Sequence, residues 1–227
     1  MGKIRLVVFD LDGTILNTLD DISAAINYTL RCYDMRPCTA EDTRRYVGSG
    51  FANALRMAIR EKCERPFEEE EFAPMLALLR RYYENNATHH TVRYAGMECL
   101  LEDLVSHGIE VGVLTNKDEK VAKPLVSAFY PDVKFSFVEG KRENRALKPD
   151  RALTLSVLDS MNMRPDEALF VGDSEVDYRT AENAGSLSLI VNYGFRTREE
   201  LEKSSIEDSI SSVRELRNRI WQLINIC

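Results

Sequence analysis

The 227-residue sequence lacks the run of about 18 uninterrupted apolar residues that a membrane-crossing helix requires, so no helical membrane span is expected. It also lacks a secretory leader pattern. Lys3 and Arg5 precede an apolar run that is too short and that ends in acids, where a leader would end at small residues. Its five cysteines, Cys32, Cys38, Cys63, Cys99 and Cys227, are odd in number, scattered and free of any C-x-x-C spacing. That excludes a disulfide framework or a zinc-ribbon site and leaves reduced thiols in a cytoplasm as the expected state. Positive charge is in deficit: 30 Lys and Arg face 37 Asp and Glu, a net charge of −7 that argues against a general binder of nucleic acid or anionic membranes. A small phosphorylated metabolite is not excluded, because a few local cations and a metal override the global sign. Repeats and low-complexity tracts are also missing.

With 44% hydrophobic residues, the chain can build one large domain or a domain with an insert. The stretch that organises it is Ile4-Arg5-Leu6-Val7-Val8-Phe9-Asp10-Leu11-Asp12-Gly13-Thr14. A continuous, β-branched apolar run ended by Asp and Gly predicts a strand buried on both faces, as in a parallel sheet. Ligands bind at the carboxyl ends of such strands, so Asp10 and Asp12 arrive where chemistry is expected. Two carboxylates this close repel, and a divalent cation relieves them. Oxygen ligands from one or two carboxylates plus substrate phosphate are what Mg²⁺ prefers.

From residue 16 to 90 the pattern is helical throughout. Ile22, Ile26, Thr29, Leu30 and Tyr33 keep helical spacing behind the early acids Asp20 and Asp21. Thr39 with Asp42 predicts a cap, Gly48-Ser49-Gly50 breaks a short helix, a further helix covers about Phe51 to Lys62, and the acids Glu68 to Glu71 open a longer one. His89-His90 reads as surface, since no metal-ligand spacing surrounds it. From Tyr94 onward strand and helix alternate, the sequence form of a doubly wound α/β sheet. Strands are predicted over Ile109–Leu114, Phe135–Glu139, Ala168–Asp173 and Leu187–Val191, and Ser212 with Glu215 predicts a capping box for a last helix. The expected domains are a discontinuous α/β core, 1–15 and 91–227, and an inserted all-helical cap, 16–90.

Three further stretches join the first on one sheet edge if the crossovers are right-handed. The second strand ends in Thr115-Asn116, which offers a hydroxyl and a backbone turn to phosphate oxygens. Lys148-Pro149 precedes a helix, and its ammonium can neutralise a transferring phosphoryl group. The fourth strand ends in Gly172-Asp173-Ser174-Glu175-Val176-Asp177, a second acidic cluster.

This order, D-x-D-G-T, Thr-Asn, Lys-Pro and G-D-S-x-x-D, resembles the four motifs of the haloacid dehalogenase superfamily phosphatases across nearly the whole chain. The resemblance implies a Rossmann-like core, with Asp10 as nucleophile forming an aspartyl-phosphate and Asp12 as the acid and base of the two half-reactions. It implies Mg²⁺ held by Asp10, the Asp12 carbonyl and Asp173, with Asp177 supporting the metal's waters or orienting Lys148. Thr115, Asn116 and Lys148 would cradle the phosphate. Dehalogenase relatives lack an acid at the position of Asp12, so a phosphate ester is the implied substrate. The helical insert resembles the mobile cap of phosphoglycolate phosphatase and β-phosphoglucomutase relatives, and Arg44-Arg45-Tyr46-Val47-Gly48-Ser49-Gly50 resembles the phosphoglycolate phosphatase cap segment, with Arg44 as substrate contact. Asn17-Thr18 stands where relatives often have Asp-Ser, and Arg151 replaces a common Pro.

The expectation is therefore a Mg²⁺-dependent phosphomonoesterase acting on a small, 2-phosphoglycolate-like metabolite, as a monomer or homodimer. A phosphosugar mutase uses the same motifs, and a non-catalytic binding module uses the same scaffold.

Overall fold

The computed structural model describes residues 3–48 and 50–226. Ser49, part of the predicted Gly48-Ser49-Gly50 break, lies outside them. In chain order the elements are β1 (Leu6–Phe9), β2 (Leu16–Asn17), α1 (Leu19–Cys32), α2 (Ala40–Tyr46), α3 (Phe51–Lys62), α4 (Phe72–Asn86), β3 (Val92–Arg93), α5 (Met97–Ser106), β4 (Glu110–Asp118) and α6 (Glu119–Phe129). There follow β5 (Phe137–Lys141), α7 (Arg151–Ser160), β6 (Ala168–Gly172), α8 (Glu175–Ala184), β7 (Leu187–Val191), α9 (Arg198–Lys203), β8 (Ser209–Ile210) and α10 (Val213–Ile226). The chain divides into two compact units, one of residues 1–16 and 93–227, the other of residues 17–92.

In the first unit, six strands form a sheet in the order β5-β4-β1-β6-β7-β8, and every adjacent pair is parallel. β1 is central, with Val8 opposite Gly112 of β4 on one side and Phe170 of β6 on the other. All four of its residues are buried, because successive side chains point to opposite faces and both faces are covered. Leu6 and Val8 pack with Leu114, Leu153, Val157, Leu158 and Phe170, which seals α7 onto one face. Truncating Leu158 to Ala would cost about 2–5 kcal/mol by the usual cost of a core leucine. The chain runs outward from β1 through β4 to β5, then returns to β1's other flank at β6. Strand order reverses there, so the loop after β1 opens at the switch point where a crevice forms.

The second unit is helical, built on α1 and α4. Ile22, Ala25, Ile26, Thr29 and Leu30 line the buried stripe of α1, and Phe72, Met75, Leu79 and Tyr83 that of α4. Tyr28 stacks on Tyr82 at 4.3 Å, and Phe51 meets Tyr83 edge-on at 4.8 Å. The predicted Thr39–Asp42 cap forms in both directions, with Asp42 N–H donating to Thr39 Oγ1 at 3.1 Å and Thr39 N–H to Asp42 Oδ2 at 2.9 Å. Asp42 also takes Lys62 Nζ at 2.6 Å, which ties α2 to α3. These bonds, from Lys62 foremost and then Thr39, hold its carboxyl below the usual range. Asp21, expected as a helix-start acid, is instead buried. It accepts hydrogen bonds from the backbone N–H of His90 (3.0 Å) and from the N–H and hydroxyl of Thr91 (both 2.8 Å), so it anchors the returning chain.

The structure adds elements too short for any periodicity to register. β2 and β3 pair as a two-residue ribbon where the chain passes between units, and after the six-residue α9 the two-residue β8 extends the sheet's far edge beside β7. The predicted Ser212–Glu215 box is only half realised. Ser212 Oγ accepts from Glu215 N–H at 3.2 Å, while the Glu215 carboxylate takes the N–H and hydroxyl of Ser211. Among the described residues no helix is long and apolar enough to cross a membrane.

Candidate active site

The site is built at the carboxyl end of the sheet, within the first unit. After β1, Asp10 N–H still bonds the Val171 carbonyl of β6 at 2.8 Å, which holds the strand end in register. The chain then turns sharply, and the Leu11 carbonyl receives the N–H groups of Ile15 at 3.2 Å and Leu16 at 3.0 Å. Leu11 is fully buried, and the residues flanking it, Asp10 and Asp12, reach different lysines, Lys148 and Lys117. Gly13 turns with φ +84°, a backbone that side chains disfavour, and a Cβ there would fall on the Asp173 carboxylate. Gly172, the last residue of β6, leaves in the same way the space that Asp177 occupies.

Lys148 joins two of these acids. Its Nζ lies 2.6 Å from Asp10 Oδ1 and 2.6 Å from Asp177 Oδ1, with the side chain buried. Its backbone is clamped by Asn116, whose Nδ2 donates to the Lys148 carbonyl at 3.1 Å and whose Oδ1 accepts the Lys148 N–H at 2.8 Å. The Lys148–Pro149 peptide is cis, and Asn183 Nδ2 of α8 donates to the Pro149 carbonyl at 2.8 Å. Asp150 caps α7 through the Ala152 N–H at 2.7 Å. Asp177 is the third residue of α8, where its Oδ2 accepts from the Ser174 hydroxyl at 2.6 Å and the Ser174 N–H at 3.2 Å. Asp173 Oδ2 accepts the Phe195 N–H at 2.6 Å.

Electrostatically the cluster is overdrawn in negative charge. Burial raises the Asp10 carboxyl to about 6 despite Lys148, with Asp177 and Asp12 adding to the rise. Burial, then Asp177 and Asp10, raise Asp173 well above the carboxylate range. Lys148 is also penalised by burial, yet Asp10 and Asp177 outweigh that and hold its ammonium above the ordinary lysine range. Carboxylate oxygens of Asp10, Asp173 and Asp177 all lie within 4.8 Å of one another. Hard oxygen donors converging in a buried, negatively charged recess fit a divalent cation of the Mg²⁺ class.

The expected residues thus fall into distinct places. Asp10, Asp173, Asp177 and Lys148 converge. Thr115 is buried on β4, its Oγ1 accepting the Lys117 N–H at 3.2 Å. The second strand, expected over Ile109–Leu114 with its end at Thr115-Asn116, runs further: β4 continues through Lys117 to Asp118, which pairs with Lys141 of β5 beyond a register shift. The Asn116 side chain, expected in a phosphate cradle, is engaged with the Lys148 backbone. Arg44, in the helical unit, forms a two-pronged pair with Glu41, Nε to Oε2 at 3.0 Å and Nη2 to Oε1 at 2.7 Å. Its neighbours Arg45 and Tyr46 brace α2 on α3 through Glu61, at 3.1 and 2.5 Å.

Two features escape the sequence reading. Lys117 Nζ reaches both oxygens of Asp12, at 2.7 and 3.0 Å, from a side chain 2% exposed. Its signal was its place two residues past Thr115, the same face of a strand if the strand continues. The Tyr94 and Tyr193 rings meet at a tilt of 57° with centroids 4.8 Å apart, and Tyr193 Oη donates to the Thr14 carbonyl at 3.2 Å. Nothing in their sequence surroundings marks them.

Residues 7–191 match the family model described as haloacid dehalogenase-like hydrolase. Phosphoglycolate phosphatase 1 of Pseudomonas aeruginosa is 30% identical over 214 residues, covering 93% of this chain and 78% of that protein. The phosphoglycolate phosphatase of Pasteurella multocida is 29% identical over 199 residues, 86% of this chain and 88% of the relative. Among solved structures, a predicted phosphoglycolate phosphatase from Haemophilus somnus superposes with a TM-score of 0.90 at 26% identity, covering 97% of this chain and 99% of that one.

Proposed function

The chain belongs to the haloacid dehalogenase-like hydrolases, and from that membership we propose that it is a Mg²⁺-dependent phosphomonoesterase acting on 2-phosphoglycolate or a close analogue through an aspartyl-phosphate. The observation that carries this reading is the convergence of Asp10, Asp173 and Asp177 within 4.8 Å around the buried Lys148 ammonium. Phosphoryl transfer is chiefly positioning and charge neutralisation, and these groups supply both. The substrate is drawn from the relatives named phosphoglycolate phosphatase.

Asp10 attacks phosphorus with a carboxylate oxygen, the ester P–O bond breaks, and Asp12 gives its proton to the departing oxygen. Asp12 then takes a proton from water as that water attacks the aspartyl-phosphate, which regenerates Asp10 and frees inorganic phosphate. Lys148 offsets charge on the transferring group, and Thr115 supplies a hydroxyl beside it. Asp10, Asp173 and Asp177, with the Asp12 carbonyl, would hold Mg²⁺, which when bound neutralises phosphoryl oxygens. Asn116 acts at one remove by fixing Lys148. Arg44 is assigned to the substrate carboxylate, which a guanidinium meets with two parallel hydrogen bonds. A cytoplasmic location completes the proposal, supported by the scattered cysteines, of which Cys32, Cys38, Cys63 and Cys99 are free among the described residues; the protein is read as a monomer or homodimer.

Release of inorganic phosphate from a panel of small phosphate esters, with Asp10→Asn as control, tests the reading. Mg²⁺-dependent turnover of 2-phosphoglycolate that the variant abolishes is expected. An inert wild type, or a variant that keeps the wild-type rate, overturns it.

A further inference from the structure

The two buried ammonium groups of the site serve different acids. Lys148 bridges Asp10 and Asp177, while Lys117 holds both oxygens of Asp12 at 2.7 and 3.0 Å. A two-oxygen contact constrains what a single hydrogen bond leaves free, namely the rotation of the carboxylate about its Cβ–Cγ bond. Asp12 sits on a turn and is 20% exposed at its side chain, so its backbone alone does not settle where its oxygens point.

Lys117, in contrast, is well anchored. It lies near the end of β4, which pairs with β1 through Phe9 and Val113. Its N–H donates to Thr115 Oγ1, and its carbonyl packs so closely on Gly140 of β5 that a Cβ there would come within 2.7 Å of the Lys117 oxygen. An ammonium buried to 2% exposure is costly unless paired, so the pair holds its geometry instead of exchanging with water.

We propose that Lys117 is a positioning residue for proton transfer: its ammonium, held on the rigid end of β4, aims the Asp12 carboxylate at the leaving-group oxygen. The inference rests on the reading of Asp12 as the acid and base. It divides the labour of the site, with Lys148 attending to the phosphoryl group and Lys117 to the proton carrier. The consequence is specific. Losing Lys117 harms the reaction in proportion to how much the leaving group needs a proton, whereas a merely structural residue harms all substrates alike.

The experiment uses the full chain with Mg²⁺ and compares 2-phosphoglycolate, whose alkoxide leaves poorly unprotonated, with 4-nitrophenyl phosphate, whose phenolate needs no proton. For the aryl ester the readout is the pre-steady-state burst of nitrophenolate, which reports only formation of the phosphoenzyme. Lys117→Met is expected to lower kcat/KM for 2-phosphoglycolate about 30- to 100-fold, up to the lower bound of what losing general acid–base catalysis outright costs because Asp12 itself remains, and the burst rate less than about threefold. Lys117→Arg should recover part of the loss on 2-phosphoglycolate. In an Asp12→Asn background, Lys117→Met should change the rate less than about threefold, since the group it aims is gone.

Equal losses on both esters, or additive effects in the double variant, would overturn the proposal. If Lys117→Met does not fold, Lys117→Arg carries the same comparison: a loss confined to 2-phosphoglycolate supports the proposal, and a uniform loss or none overturns it. If Asp12→Asn alone retains the wild-type rate, the reading of Asp12 has failed, and with it this inference, a result distinguishable from failure at Lys117 alone.

Discussion

Replacing Lys148 by Met removes the ammonium shared by Asp10 and Asp177 and keeps the length of the stem. Both contacts are 2.6 Å long and both acids are buried, so the substitution leaves two carboxylates facing each other and Asp173 without the cation between them. Removing one partner of a buried pair typically costs about 3–5 kcal/mol. For a chain of this size that corresponds to a fall in Tm of roughly 6–20 °C. The measurement belongs at pH 8 in chelator. Burial raises the Asp10 carboxyl and Lys148 is what holds it down to about 6, so the loss of Lys148 raises Asp10 further and protonation offsets part of the repulsion, which places the effect toward the lower end of that range. Added Mg²⁺ should then raise the Tm of Lys148→Met by more than it raises that of the wild type, because the more negative cluster binds a cation more tightly and ligand binding stabilises the folded state. Phosphate release should fall about a hundredfold or more, the usual consequence of losing a charge-stabilising donor. Thermal scans with and without Mg²⁺, beside steady-state kinetics, make the test. Equal Tm values in chelator, or equal Mg²⁺ shifts in the two proteins, would refute the argument that Lys148 stands in a cation-demanding cluster.

Arg44→Ala should lower kcat/KM for 2-phosphoglycolate by about 2–3 kcal/mol and affect an uncharged aryl phosphate much less; equal losses on both would mean that Arg44 serves only its pair with Glu41. Glu119 is raised by burial, but Lys123, Arg142 and the Gly140 N–H pull it down to about 2 from the usual 4.5. A carboxyl lowered on folding contributes stability that is complete above about 4.5 and lost as pH falls through about 2. Its partners are half exposed, so Glu119→Gln should cost only about 1 kcal/mol at pH 7, some 2–4 °C in Tm, a cost that shrinks as pH falls from about 4.5 and vanishes below about 2. A Tm difference that does not change with pH would contradict it.

What was legible in the sequence is what the backbone decides within a few residues. The apolar run Leu6–Phe9 had to be a covered strand, because only burial on both faces accommodates four consecutive apolar side chains in extended chain. The Thr39–Asp42 cap and the helix Phe51–Lys62 were legible because caps and helical stripes act over three or four residues. The acids and the lysine at the strand ends were legible as a set because right-handed crossovers bring parallel strand ends to one edge. Tertiary structure alone decided who pairs with whom. Lys117 meets Asp12 across 105 residues, Asn116 clamps Lys148 across 32, and Asp21 holds Thr91 across 70. Such pairs leave no local periodicity. They depend on β1 lying between β4 and β6, and on β4 running four residues past Leu114 along β5. That extension turns a polar segment that reads as a turn into a buried strand end carrying the ammonium that meets Asp12.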